Sequence, residues 1–275
     1  MKGFKILTIG ITALLLSSDG IALSAKGTAA KSKSKSKYKL VFRDEFNGKE
    51  GSAVNSKYWS VPERKKYMWA RQISDVRDVY DIANGVLVCK AIPNTVNPKD
   101  TAEMLTGAFS TQGKFEFQYG KVLVRLRTSN AEGNFPAVWL LPAEQKNAPY
   151  RYGEIDIFET FGNDGKAHQT VHNHRTFTLG RKEKNAFPHS VDVTQWHVYG
   201  VEWTATSIMF TIDGKTMGYY EKSTDSETLA EGQWTFDRPY YIVVNQSTGQ
   251  KGWHEPDVTH TYKTEVDWIR VYQRK

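Results

Sequence analysis

The chain has 275 residues, of which 39% are hydrophobic, and it carries a formal net charge of +7 with a single cysteine. This length is ample for a packed core, and the composition excludes disordered and fibrous proteins. One cysteine excludes an internal disulfide framework, and the only long apolar run lies at the extreme N-terminus, which excludes a multi-span membrane protein.

The positive charge is concentrated at the N-terminus. Residues 1–37 hold seven basic residues and one acid, which leaves 30 basic and 29 acidic residues in 38–275. A body this close to neutral lacks the clustered basic face that recognition of phosphates requires. We therefore expect no nucleic-acid partner, and near-neutrality suits an uncharged or weakly charged substrate.

Residues 1–25 have the organisation of a secretory signal peptide. A short positive start precedes the apolar run Ile6–Leu16, and small residues follow up to Ala25. The apolar run is too short to span a bilayer, so we expect export without stable membrane insertion. The Lys/Ser-rich residues 26–37 predict a flexible linker. The remainder, 38–275, is expected to form one domain, and we expect a monomer at the cell surface, in the periplasm or outside the cell.

The body of the chain predicts β-strands almost throughout. In residues 121–127 the even positions are apolar and the odd positions are mostly charged, which is the period of a half-buried strand. Asp213-Gly214 is a hairpin signal between strands predicted at 208–212 and 217–220. Further strands are predicted at 86–91, 153–158, 196–203, 240–245 and 266–273. Short antiparallel strands without a helical apolar period indicate an all-β fold, a β-sandwich or jelly roll.

Several residues in these strands are predicted to be structural. Cys89 lies on the side of its strand opposite Val86 and Val88, and no activating base lies near it in the sequence. We expect a small, core-facing residue at this position. Trp196, Trp203 and Trp268 lie within strand patterns and are also predicted to pack in the core.

The segment Gly153–Glu159 concentrates three acids in six residues. In a regular strand Glu154 and Asp156 share one face, whereas Glu159, five positions after Glu154, points to the other. One bulged residue near Ile157 or Phe158 would return Glu159 to the face of Glu154, and bulges are frequent beside active sites. Retaining glycosidases need two carboxyl groups about 5–5.5 Å apart. We predict such a pair here, with a bulge between Asp156 and Glu159; the alternative is a solvated, charged strand face.

The segment Glu154–Glu159 resembles the E-x-D-x-x-E signature of glycoside hydrolase family 16, in its bulged, laminarinase-like form. Asp44–Gly48 resembles the opening strand of that family, Phe135–Pro142 the strand before the catalytic one, and Val266–Gln273 the closing strand. The resemblance covers most of 38–275 and implies a glycoside hydrolase catalytic domain, a curved antiparallel jelly roll with a concave glycan-binding cleft. By position, it implies that Glu154 is the nucleophile, Asp156 the assisting acid and Glu159 the acid/base.

Aromatic and polar side chains are candidates for contact with a sugar. Many family members carry Trp where this chain has Phe135, but the tryptophan of the cleft wall is kept as Trp139. Trp253 resembles a loop tryptophan near the donor subsites, and His172 has the spacing of a histidine common in laminarinase-like members. The predicted substrate-binding residues are Trp139, His172, Trp253, Trp69, Asn245 and Gln246.

Two metal hypotheses remain open. The family resemblance implies a structural calcium near Glu45 and Asp267, although Asp267 could equally be an ordinary strand-end acid. His168, His172 and His174 have even spacing, so on one strand they would share a face and could form a zinc site. The alternative is that one histidine lines the cleft and the others are solvated. No cofactor is expected to be required.

The leading hypothesis is an exported, endo-acting, retaining β-glucan hydrolase. Asp100–Gly107 and Val138–Pro142 resemble segments of enzymes that cleave mixed-linkage β-1,3-1,4-glucan or laminarin, a β-1,3-glucan, and we expect these substrates in that order. Agarose, porphyran and carrageenan are the alternatives, and Arg71 and Arg175 keep a sulfated galactan open. A carbohydrate-binding module without catalysis and a zinc hydrolase are the hypotheses from other classes.

Overall fold

The computed structural model of the protein describes residues 37–144 and 152–275, and these residues form mainly antiparallel β-structure. The predicted signal peptide and nearly all of the predicted linker lie outside the described residues. Within Lys37–Lys275 the described residues pack as one compact unit. None of the helices in the described part of the chain is long and apolar enough to cross a membrane.

Fifteen strands and one short α-helix can be assigned in the described residues. The strands are β1 Tyr38–Asp44, β2 Tyr80–Ala83, β3 Val86–Pro93, β4 Met104–Thr106, β5 Ala108–Ser110, β6 Gly120–Thr128, β7 Asn134–Pro142, β8 Gly153–Glu159, β9 Lys166–Asn173, β10 Ala186–Ser190, β11 His197–Trp203, β12 Ser207–Ile212, β13 Lys215–Glu221, β14 Tyr240–Thr248 and β15 Tyr262–Arg274. The helix α1 is Ser226–Ala230. Short 3-10 helices cover Met68–Ala70 and Arg77–Val79, and a π-helix covers His174–Thr178.

The strands form two antiparallel sheets. The first has nine strands, with β13-β12-β11-β6-β15-β3-β2 in order, β1 paired with β15 and β4 paired with β3. The second has six strands in the order β10-β9-β8-β7-β14-β5. The predicted all-β jelly-roll class is confirmed. The strand resemblance at Asp44–Gly48 needs a correction, because β1 ends at Asp44 and Phe46 takes a left-handed φ of 47°.

The hydrophobic core lies between the two sheets. From β6 it takes Val122, Val124 and Leu126, as the alternation in the sequence predicts. From the six-stranded sheet it takes the residues Val138, Leu140, Ile155, Ile157, Phe158, Ile242 and Val244. Cys89 is fully buried here and its thiol donates a hydrogen bond to the Gly107 carbonyl at 3.2 Å. Burial raises the pKa of Cys89 to about 12, so its predicted structural role is confirmed.

Two hairpin turns behave as their sequences predict. Asn84-Gly85 joins β2 to β3 with φ angles of 54° and 74°, and Asp213-Gly214 joins β12 to β13 with φ angles of 49° and 76°. Two consecutive positive φ angles define the turn that matches the right-handed twist of a hairpin, and glycine takes the second position without steric cost.

Arginine–acid pairs cover the outer face of the nine-stranded sheet. Arg270 donates two hydrogen bonds to the carboxylate of Glu45, at 2.9 and 2.7 Å. Arg125 forms an ion pair with Asp267, which lies where the pairing of β15 with β6 shifts register. Both candidate calcium ligands are thus engaged by arginine, and the calcium site remains a prediction. It would require at least one of these ion pairs to open.

The tryptophan predictions for this sheet are correct only in part. Trp203 is buried in the core at 1% exposure, as predicted. Trp196 and Trp268 are half-buried instead: Arg125 and Arg127 lie over the ring of Trp196, and Arg270 lies over the ring of Trp268. The prediction of core packing is wrong for these two because an aromatic face can stack on a cation at the surface.

Candidate active site

A β-bulge in β8 brings the three acids of the central strand to one face. Trp139 of β7 pairs with Asp156, and the next pair along is Val138 with Phe158, so Ile157 is the extra residue. On the other side of β8 the register with β9 also shifts between Asp156 and Glu159. Ile157 and Phe158 are consecutive, yet both are fully buried in the core. The predicted bulge between Asp156 and Glu159 is confirmed.

The face that carries the acids points away from the nine-stranded sheet, and we call it the site face. Residues directly opposite each other in antiparallel strands project from the same side. Asp156 lies opposite Trp139, and Glu159 lies opposite Ala137 on β7. Ala137 and Trp139 belong to a hydrophobic cluster separate from the main core, together with Leu141, Tyr241 and Val243. The site face therefore combines a row of carboxyl groups with an apolar floor.

His172 and Tyr152 contact the acids directly. The Tyr152 hydroxyl donates a hydrogen bond of 2.9 Å to Glu154 Oε2. His172 Nε2 lies 3.8 Å from Glu154 Oε1 and 3.5 Å from Asp156 Oδ2. Asp156 is 1% exposed, and its Oδ2 atom accepts no hydrogen bond among the described residues. The sequence placed His172 at this site, whereas Tyr152 was not anticipated.

Burial controls the protonation of the acids. It raises the pKa of Glu159 to about 8, and the charge of Glu154 adds to this rise. Burial also raises the pKa of Glu154, to about 7, although hydrogen bonds from Tyr152 and Asp156 act against it. The pKa of Asp156 is raised by burial and by the charges of Glu154 and Glu159. Burial lowers the pKa of His172, which favours the neutral imidazole.

These shifts separate the two glutamates in the direction that acid–base chemistry requires. Three carboxyl groups whose charges interact this strongly titrate as a unit, so the proton is shared among them. Of the two glutamates, Glu159 has the higher pKa, and Glu154 is the one whose hydrogen-bond partners favour the charged form. Such a pair offers one proton donor and one carboxylate. The predicted separation of about 5–6 Å between their carboxyl groups remains a prediction.

Trp139 forms the centre of the apolar floor, and Asn245 holds it in place. The Trp139 indole donates a hydrogen bond of 2.7 Å to Asn245 Oδ1, and its ring packs edge-on against the half-buried Trp69, with centroids 5.0 Å apart. Asn245 is fully buried and donates its amide to Ser247. This corrects the prediction for Asn245, because its amide is occupied by Trp139 and Ser247 and positions the tryptophan.

Gln246 lies on the opposite face of β14. Its amide donates to Asn134 Oδ1 at 2.9 Å, and its carbonyl accepts from Thr264 of the nine-stranded sheet at 2.7 Å. The residue is fully buried between the sheets. The prediction that Gln246 reads sugar hydroxyls is therefore wrong, since adjacent strand residues point to opposite faces and Asn245 already occupies the site face.

An aromatic cluster surrounds Trp253. Its ring lies 5.2 Å from that of Phe135 and 5.5 Å from that of Phe161. Phe161 also contacts the ring of His168, which is opposite Glu159 in the strand pairing and bonds to Asp164 at 2.6 Å. Trp253 is half-buried, so the loop tryptophan is connected through this cluster to the Glu159 end of the site face. Its contact with substrate remains a prediction.

Phe177 is a site residue that the sequence pattern does not predict. It lies in the π-helix that follows β9, is 62% exposed, and stacks on Tyr152 with ring centroids 4.5 Å apart. A π-helix has no simple sequence signature, so the order of residues gave no sign of this placement. Tyr152 could have been found, because it lies two residues before Glu154 and therefore shares its parity in an extended chain.

One group of side chains in the described residues has the geometry to hold a metal ion. Candidate ligand atoms of Glu154, Asp156 and His172 lie within 4.8 Å of one another. The three histidines of the zinc hypothesis form no such group in the described part of the chain. His168 is bonded to Asp164 and His174 begins the π-helix, so neither joins His172. The zinc site that the histidine spacing left open is therefore not assembled.

The raised pKa of Glu159 predicts a pH-dependent gain in stability for Glu159→Gln. Near the ordinary value of 4.5 the unfolded carboxyl ionises, whereas the folded one resists ionisation until about pH 8. The wild type therefore loses stability as the pH rises through this window, and a neutral glutamine does not. We expect the melting temperature of the variant to exceed that of the wild type by about 4 °C or more at pH 8.5.

The control for this measurement is the same pair of proteins at pH 4, where the difference should vanish. Glu265→Gln provides a second control, because that carboxylate accepts hydrogen bonds from Arg127 on the other sheet. It should show no gain at alkaline pH. A difference between Glu159→Gln and wild type that is the same at pH 4 and pH 8.5 would contradict the buried, proton-holding state of Glu159.

Asn245→Ala is expected to destabilise the protein, since it leaves the buried Trp139 N–H without an acceptor. An unsatisfied buried donor costs about 1–3 kcal/mol, which corresponds to a fall in melting temperature of about 2–4 °C for each kcal/mol. In a Trp139→Phe background, which has no indole N–H, the same change should cost measurably less. Equal losses in the two backgrounds would show that Asn245 does not act through Trp139.

Comparison with known proteins agrees with this geometry. Residues 83–270 match the sequence profile of Glycosyl hydrolases family 16. A β-glucanase of Rhodothermus marinus is 30% identical over 260 residues, covering 86% of this chain and 85% of that protein. A keratan-sulfate endo-1,4-β-galactosidase of Sphingobacterium multivorum is 27% identical over 241 residues, and the chain spans only 55% of its length.

Two solved structures are similar over most of the chain. SCLam, a non-specific endo-β-1,3(4)-glucanase, has a TM-score of 0.74 at 26% identity, with coverage of 88% of this chain and 93% of that one. A structure reported with endo-acting O-glycanases of the human gut microbiota that initiate mucin breakdown has a TM-score of 0.72 at 26% identity. The similarity covers 86% of this chain and 100% of that one.

Proposed function

The chain belongs to glycosyl hydrolase family 16, and we propose that it is an endo-acting β-glucan hydrolase that retains anomeric configuration. The observation that carries this proposal is the bulge at Ile157, which gathers Glu154, Asp156 and Glu159 on one face. A strand has no structural need for three acids on one face, because the charges of both glutamates raise the pKa of Asp156 and the charge of Glu154 raises the pKa of Glu159. Catalysis supplies the reason for this arrangement.

In the first step, Glu154 attacks the anomeric carbon of the bound sugar through its carboxylate. Glu159 donates its proton to the glycosidic oxygen as the bond to that oxygen breaks. Burial supports the donor, because it keeps Glu159 protonated near neutral pH. The Tyr152 hydroxyl holds Glu154 through Oε2, so the other oxygen, Oε1, takes no part in this hydrogen bond and is the one that we assign to the covalent bond.

In the second step, water replaces Glu154 on the anomeric carbon. Glu159, now a carboxylate, accepts a proton from the attacking water, and the sugar leaves with its original configuration. Asp156 assists in both steps because it lies between the two glutamates and its charge state is coupled to theirs. His172, neutral and within 4 Å of two acids, provides a polar contact to substrate or to the triad.

Two classes of polysaccharide are candidate substrates. Mixed-linkage β-1,3-1,4-glucan and laminarin come first, because a relative with 30% identity over most of both chains and a structure with a TM-score of 0.74 are named for β-glucans. A β-galactosyl glycan comes second, because the keratan-sulfate relative and the mucin-directed structure are similarly related. Arg71 has no ion pair among the described residues and reaches Gly249, beside the loop of Trp253. Arg71 is therefore placed to form an ion pair with a sulfate ester of a bound galactan.

The test is a panel of purified polysaccharides with measurement of reducing ends and product sizes. The panel contains mixed-linkage glucan, laminarin, agarose, porphyran, carrageenan and keratan sulfate, each with wild type and Glu154→Gln. Cleavage of the glucans alone supports the first candidate, and cleavage of keratan sulfate alone supports the second. Binding of a glycan without release of reducing ends by the wild type would instead identify a carbohydrate-binding module.

Export and independence from cofactors complete the proposal. Residues 1–25 have the organisation of a signal peptide, and an enzyme that cuts polymers needs access to them outside the cytoplasm. Because the proposed mechanism uses no metal ion, we expect dialysis against a chelator to leave the activity intact. A loss that only calcium restores would support the candidate ligands Glu45 and Asp267.

A further inference from the structure

The π-helix His174–Thr178 is a rigid support for an exposed aromatic side chain. Asn173 caps its start by accepting a hydrogen bond of 2.9 Å from Thr176 N. Arg175 in its first turn bonds to Glu231 at 2.9 Å and to Glu183 at 3.0 Å. One guanidinium group that bonds to two carboxylates restricts motion more than a single surface ion pair does. The backbone that carries Phe177 is therefore fixed at both its cap and its first turn.

Phe177 is placed one ring away from the nucleophile. One face of its ring stacks on Tyr152 at an interplanar angle of 21°, and its edge lies against His172, with centroids 5.9 Å apart. Tyr152 and His172 both contact Glu154. Although it has these contacts, 62% of Phe177 remains exposed. A single exposed apolar side chain is ordinary on a protein surface, but Phe177 lies against the two residues beside Glu154, where a bound sugar would contact it.

We propose that Phe177 is the wall of a sugar subsite on the Glu154 side of the site face, and this rests on the proposed function. The ligand class is a pyranose ring that stacks its C–H face on the free face of Phe177. Tyr152 stacks on the opposite face of the Phe177 ring and also donates a hydrogen bond to Glu154. A sugar bound in this subsite is therefore connected to the nucleophile through Phe177 and Tyr152. The site face then has aromatic contacts at both ends, Phe177 at one and Trp253 at the other.

The test compares Phe177→Ala, Phe177→Trp and Leu179→Ala on the polysaccharide that the wild type cleaves best. Leu179 follows the same helix and is 44% exposed, which makes it a matched control for loss of a surface apolar group. We expect Phe177→Ala to raise KM about tenfold, with kcat changed about threefold or less, and to shift the sizes of the products. Phe177→Trp should restore KM, and Leu179→Ala should behave as wild type.

Two results would overturn the subsite while leaving the proposed function standing. One is a KM and product pattern for Phe177→Ala that match those of Leu179→Ala. The other is a fall in kcat with KM unchanged, which would mean that Phe177 only supports Tyr152. Melting temperatures of all variants identify a folding defect, and the tryptophan variant keeps the test decisive if alanine destabilises the helix. Absence of turnover by the wild type on every polysaccharide would overturn the proposed function, and the subsite with it.

Discussion

Replacing Glu154 by glutamine is expected to lower kcat by about 10⁴-fold or more on whichever glycan the wild type cleaves. An amide cannot form the covalent bond to the anomeric carbon, so the first step is lost. Glutamine keeps the volume and accepts the Tyr152 hydrogen bond, so the fold and glycan binding should persist. The measurement is release of reducing ends, with binding of the same glycan followed by calorimetry.

Glu265→Gln is the matched control, because it makes the same chemical change on the other sheet, where Glu265 pairs with Arg127. It should keep wild-type turnover. If Glu154→Gln retained more than about one hundredth of the wild-type kcat, the assignment of Glu154 as nucleophile would fail.

Glu159→Ala is expected to lose activity in a manner that depends on the leaving group. Polysaccharide substrates need a proton on the departing oxygen, and removal of a general acid costs about 10²–10⁴-fold. A glycoside with a good leaving group, such as a nitrophenolate, needs no such proton in the first step. With that substrate the covalent intermediate should form and then accumulate, because no base remains to activate water.

The checking measurement is a burst of nitrophenolate followed by a slow steady state, together with intact mass of the trapped glycosyl-enzyme. Azide, a nucleophile that needs no general base, should speed the steady state and give a glycosyl azide. An equal loss on polysaccharide and on activated glycoside, with no burst, would contradict the role of Glu159.

The pattern of burial could be read from the sequence wherever a strand keeps a strict period of two. Val122, Val124 and Leu126 were placed correctly for this reason, and so was the bulge. The bulge could be inferred because chemistry demanded that Glu154 and Glu159 share a face, whereas a regular strand forbade it. A functional constraint therefore revealed a backbone irregularity that propensity alone does not indicate.

The failures have equally specific causes. Asn245 and Gln246 were both assigned to the sugar, but neighbouring residues of a regular strand point to opposite faces. The sequence does not show which residues of β14 share the face of the β8 acids. The register of β14 against β7, with Val243 opposite Trp139, fixes it. Phe177 was missed because its position depends on a π-helix and on ion pairs with residues up to 56 positions away in the chain. Such long-range contacts leave no local pattern.

The anomeric configuration of the first product tests the central claim most directly. A β-glycan cleaved by wild-type enzyme can be followed by proton NMR from the first minutes, before mutarotation mixes the anomers. Retention through Glu154 and Glu159 predicts that the β-anomer of the new reducing end appears first and that the α-anomer grows in later. Initial release of the α-anomer would mean a single displacement by water, with carboxyl groups about 6.5–9.5 Å apart, and would contradict the account.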